Sequence, residues 1–124
     1  MRRYLLLASI LSLPGAAPAT PFERTEVALR SLIAASSLPT ASSSASCQGT
    51  VPGLPRPTLG DLLVQPLAGL DGGSNRINGG CARGACWVRI THRGREEDVF
   101  AYEFRFRVAR GQLVPASLEC FSTP

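Results

Sequence analysis

The chain has 124 residues, with 13 arginines and no lysine against 9 acids, and a single histidine, His92. That inventory excludes a two-histidine acid–base pair, a multi-histidine metal centre, a Schiff-base lysine and a Ser-Lys dyad. The length suits one small domain with one hydrophobic core, and no Gly-x-Ser-x-Gly elbow, P-loop or dinucleotide glycine pattern occurs in it.

The first nineteen residues read as an export signal. Arg2 and Arg3 form a basic start, Tyr4 to Leu13 an apolar run, and Ala17-Pro18-Ala19 the small-x-small pattern that precedes cleavage. The run is too short to span a bilayer. Cleavage between Ala19 and Thr20 leaves a secreted or periplasmic chain, 20–124, whose formal charge falls from +4 to about +2 without Arg2 and Arg3. So small an excess gives little case for a polyanion, and nucleic acid is not an expected partner. No later apolar stretch is long enough for a membrane span. The lack of lysine fits an arginine-favouring coding bias rather than selection for anion contacts.

Thr20, Pro21 and Glu23 have the spacing of a helix start with a capping box. A helix is expected over 21–35, with Phe22, Leu29, Leu32 and Ile33 facing the core and Glu26 pairing with Arg30 outside. The segment lacks the cationic polar face of a membrane-binding helix. From Ser36 to Thr58 the residues are mostly Ser, Ala, Thr, Pro and Gly, which predicts a linker or extended loop, with Cys47 inside it. The stretch 58–70 is ambiguous. Thr58 and Asp61 suit a helix start, Leu62, Leu63 and Val64 suit helix or strand, and Pro66 interrupts both. Asp71 to Gly84 is predicted as a loop, with Asn78-Gly79 as a turn.

The last third alternates. Phe100, Tyr102, Phe104, Phe106 and Val108 share one strand face, and Glu103, Arg105 and Arg107 share the other. Trp87 to His92 forms a preceding strand with Val88 and Ile90 inward. A three-residue hairpin loop ending at Gly111 would set Val108 opposite Gln112, Phe104 opposite Ala116, Tyr102 opposite Leu118 and Phe100 opposite Cys120. The expected fold is α+β: the N-terminal helix packed on a three- to four-stranded antiparallel meander sheet over 86–121, stapled by disulfides.

An exported chain makes disulfides the default for its four cysteines. In this meander Cys86 and Cys120 lie on the order of 13 Å apart, too far to join. The preferred pairs are Cys81–Cys86, a local clip, and Cys47–Cys120, a long staple. A four-thiol zinc site is the rival, disfavoured by the spacing.

Function is expected on the outer sheet face. Trp87, Arg89, Glu103, Arg105 and Arg107 share its parity, combining an aromatic platform with guanidinium groups that suit a protein partner or a small acidic or sugar ligand at the cell envelope. The alternative is catalysis by Glu103 with the arginines, residue types in which the face resembles small secreted microbial ribonucleases. In that family a histidine shares the face, whereas His92 has the opposite parity here. The layout also resembles cystatin-like and pilin-head architectures, without a motif in support. The expectation is a non-catalytic binding or structural module without cofactor or metal.

Overall fold

A computed structural model describes residues 20–48, 53–68, 70, 75–93 and 99–123, with only the backbone at Val99 and Phe100. The expected export signal, residues 71–74 of the expected loop and residues 94–98 of the turn before the Val99 strand lie outside the described residues.

The first helix, α1, spans Pro21–Ala34. Thr20 Oγ1 accepts from the Glu23 amide at 3.1 Å and Glu23 accepts from the Thr20 amide at 3.2 Å, completing the capping box. Glu26 and Arg30 pair across one turn. The buried stripe differs from the expected one. Ala28 and Leu32 are sealed in the core and Leu29 is half-buried, but Phe22 is 76% exposed and Ile33 is 45% exposed. The helix is rotated so that its small residue, Ala28, meets the sheet, because the backbones lie too close for a larger side chain there.

The segment after α1 is not a free linker. Two short 3-10 turns, Thr40–Ser42 and Ala45–Cys47, lay it against the body, Pro39 bridges to Thr58, and Thr40, Ser43 and Cys47 are buried. Local hydrogen bonds replace the missing apolar side chains: Ser43 Oγ donates to the Thr40 carbonyl at 2.6 Å, and Gln48 Nε2 donates to the Ser43 carbonyl at 3.2 Å. A second helix, α2, spans Leu59–Leu67, which settles the ambiguous stretch. Its capping box is Thr58 with Asp61. Pro66 falls in the last turn, where its missing amide removes a single helical hydrogen bond, the one to the Leu62 carbonyl.

The sheet is antiparallel and meanders. β1 is Arg76–Ala82, β2 is Ala85–Arg93 and β3 is Val99–Ala109; the far side of β3 is shared by β4, Gln112–Leu113, and β5, Glu119–Thr123. β1 corrects the loop expected over 71–84. Asn78-Gly79 lies mid-strand, Gly79 opposite Val88, and the turn is Arg83-Gly84 instead. Gly79 is glycine because a Cβ there would stand 2.8 Å from the Trp87 carbonyl oxygen and 3.3 Å from the Ala28 Cβ.

The second hairpin has a two-residue loop, Arg110-Gly111, so that Val108 faces Leu113. Pro115–Ser117 then coils into a 3-10 turn. Ser117 Oγ accepts from the Arg107 amide at 2.8 Å and donates to the Val114 carbonyl at 2.6 Å, standing in for a rung of the ladder. The coil consumes residues, so Phe104 faces Cys120 rather than Ala116, and Tyr102 faces Ser122 rather than Leu118. That slip is even. Inward positions of β5 therefore stay inward, and Leu118 is fully buried, whereas the one-residue shift at β4 turns Leu113 inward and leaves Gln112 exposed. Val88, Ile90, Leu32, Leu59 and Leu118 form the sealed centre of the core.

Both disulfides, Cys47–Cys120 and Cys81–Cys86, are present, and no thiol is free. Cys120 lies beside Phe104 rather than Phe100, so one premise of the sequence argument shifts while its pairing stands. Cys81 and Cys86 face each other directly on β1 and β2.

Each outer edge of the sheet is covered by a hydroxyl. Thr25 Oγ1 accepts from the Gly79 amide at 3.1 Å on the β1 side, and Ser46 Oγ accepts from the Cys120 amide at 2.9 Å on the β5 side. Such partners blunt an edge that would otherwise template pairing with another chain. Thr25→Val keeps the shape and removes the acceptor. It is expected to cost about 1 kcal/mol or slightly more in urea unfolding, because the Gly79 amide loses its partner; a change near zero would mean that water replaces the hydroxyl fully.

Candidate functional site

Alternation along β2 and β3 brings all five singled-out residues to one face. Trp87 stands opposite Arg105, Arg89 opposite Glu103, and Arg107 opposite Ala85. They line one broad, open depression.

Trp87 is 41% exposed. Its indole lies over Gly80, its partner on β1: a Cβ on Gly80 would stand 3.4 Å from the Trp87 Nε1. The neighbouring glycines therefore serve opposite faces, Gly79 admitting α1 and Gly80 seating the tryptophan. Glu103 is the carboxylate between the arginines. It accepts from Arg105 Nε at 2.6 Å, and its other oxygen lies 4.0 Å from Arg89. The Arg105 guanidinium also stacks 4.6 Å from the ring centroid of Phe121, a residue that the sequence reading did not single out. Phe121 reaches Arg105 because the coil at Pro115–Ser117 sets it opposite Glu103; no local signal in the sequence carries that shift. Arg107 makes no ion pair among the described residues.

His92 is on the other face. Its Nε2 lies 2.8 Å from the Pro66 carbonyl oxygen and its ring meets Tyr102 edge-on at 5.8 Å. Histidine and Glu103 thus lie on opposite sides of the sheet, as parity requires, and no histidine joins the outer-face group. A second groove, about 400 Å³, runs between α2 and β5 past Leu62, Pro66, Tyr102 and Phe104. Its carboxylate, Asp61, is engaged in the helix cap. Among the described residues no three His, Cys, Asp or Glu side chains gather as a metal set. All four sulfurs are in disulfides, so no thiol is left for the four-thiol zinc alternative.

Among the described residues no helix is long and apolar enough to cross a membrane. Two disulfides in so short a chain fit an extracellular or otherwise oxidising environment. Comparison with protein-family models, with curated proteins and with solved structures finds no match.

Proposed function

We propose that the chain is an exported, non-catalytic binding module and that the outer sheet face is its contact surface. The observation that carries this reading is the open Trp87 ring set among Arg89, Arg105 and Arg107, with Glu103 as the carboxylate between them. Tryptophan and arginine are the residues that most often dominate binding energy at an interface. None of these side chains contributes to the sealed core, and a half-exposed indole grouped with guanidinium groups has the composition of a contact surface. The non-catalytic part rests on the engagement of Glu103 with Arg105 and Arg89, and on the placement of His92 across the sheet. A general base needs a carboxylate that is free to accept a proton and within hydrogen-bond reach of the group that gives it up.

Combining Trp87→Ala with Arg105→Ala tests the surface. Capture of a partner from an extract of the source organism is expected to weaken by about 2 kcal/mol or more, while the unfolding temperature changes little. Unchanged capture would place binding elsewhere on the molecule. Cleavage of RNA in metal-free buffer that disappears in Glu103→Gln would replace the binding reading with the nuclease one.

A further inference from the structure

Two arginines outside the outer-face group occupy matching positions. The turn Arg83-Gly84 joins β1 to β2, and Arg110-Gly111 joins β3 to β4. Arg83 and Arg110 both have φ of 53°, and the glycines after them have φ of 79° and 76°. Positive φ at both central residues is the signature of the type I′ turn, whose first position favours Asn, Asp or Gly. Arginine there is sterically unfavourable, and it occurs twice. The two turns lie at the same end of the sheet: the Gly84 carbonyl accepts from the amide of Val108, in β3 just before the second turn, at 2.7 Å, and Arg107 lies opposite Ala85.

One end of the sheet thus presents three exposed arginines, Arg83, Arg107 and Arg110, and none has an ion pair among the described residues. Glu103 and Glu119 stand among the outer-face arginines, Glu103 held by Arg105 and Arg89 and Glu119 opposite Arg105, and Arg83, Arg107 and Arg110 remain a local positive excess beyond them.

We propose that Arg83, Arg107 and Arg110 form one end of a polyanion track, and that its ligand is an acidic polysaccharide lying across Trp87 toward Arg89. This rests on the outer face being the contact surface. From Arg83 to Arg89 the track runs roughly 20 Å at strand spacing, longer than a small anion. Guanidinium groups pair bidentately with carboxylate and sulfate oxygens. Single-stranded nucleic acid is the other chain-like polyanion, and its binding uses a series of free aromatic faces. Here Trp87 offers one, and a Phe121 face is already covered by Arg105.

The test is retardation in affinity gels containing polygalacturonate or dextran sulfate, with plain dextran as control. The protein is expected to be retarded by one or both acidic polymers, not by dextran, and to be released by salt. The arms separate carboxylate from sulfate recognition. Arg83→Asn combined with Arg110→Asn places a favoured residue in each turn, so unfolding temperature should hold or rise while affinity falls at least tenfold. Absence of retardation by both polymers overturns the inference, as does unchanged affinity in the double variant. Tighter binding to oligothymidylate or to anionic vesicles than to either polymer overturns it equally. If both acidic polymers fail while the Trp87 and Arg105 double variant still loses its partner, this inference falls and the outer-face function stands.

Discussion

Replacing Cys47 and Cys120 together by alanine is expected to remove about 4 kcal/mol of stability, since the link closes a long loop across a sequence separation of 73. For a chain of this size that corresponds to a fall in unfolding temperature on the order of 20 °C. The cause is more than loop entropy. Ser46 covers the Cys120 amide, and the Ser44 amide donates to the Leu118 carbonyl at 3.2 Å, so the disulfide holds the Ser-rich segment on the edge of β5. Without the link those contacts open together, exposing both the edge and Leu118. The companion pair, Cys81→Ala with Cys86→Ala, closes a separation of only 5 and should cost about 2 kcal/mol. Thermal scans of both double variants in oxidising buffer measure the difference; equal losses would show that strain or denatured-state structure, not loop length, sets the contribution of each bond.

Gly79→Ala is expected to destabilise by about 2–3 kcal/mol, although alanine is ordinarily no worse than glycine within a strand. The added methyl group would stand 2.8 Å from the Trp87 carbonyl oxygen, a backbone atom of the adjoining strand that cannot yield without breaking the β1–β2 ladder. It would also press on Ala28 and lift α1 from the sheet. Gly80→Ala is the control, because its methyl group would meet only the end of the Trp87 indole at 3.4 Å. A small effect is expected there, with the indole displaced and its fluorescence changed. Urea unfolding of the pair, with tryptophan emission as the second signal, distinguishes them. Comparable losses in both would mean that strand β1 as a whole, not the approach of α1, sets the requirement for glycine.

Local chemistry in the sequence identified the elements whose reasons are local. The Thr20-to-Glu23 capping box specifies the start of α1, and strict alternation from Val99 to Ala109 specifies β3 and its inward face. The five outer-face residues were legible for the same reason, because parity on adjacent antiparallel strands assigns a face whenever the strands exist. Even the disulfide pairing survived a register slip of four residues, since an even slip preserves which side chains point inward. Arg83 and Arg110 stood out less. Each reads as an ordinary surface arginine until the pairing of β2 with β3, with the Gly84 to Val108 hydrogen bond, sets both turns at one end of the sheet.

Pattern failed where a residue answered to a distant neighbour. Asn78-Gly79 has the composition of a turn, yet β2 pairs along it and α1 rests on it, so tertiary contact overrode the local preference. Phe22 and Ile33 belong to the apolar set of α1 by spacing, but the close approach at Ala28 sets the rotation of the helix and leaves them in water. The segment after α1 has too little apolar surface to order itself, and it becomes structured through Cys47 and hydrogen bonds to β5. The sequence by itself determined the helix start, the alternating strands, the faces of β2 and β3 and the exclusion of a Cys86–Cys120 bond, because these follow from repeat and parity. Only the tertiary structure decided the extra strand at the edge, the helix rotation, the four-residue shift in pairing and the gathering of arginines at one end, because each depends on which backbones come within hydrogen-bonding or van der Waals reach.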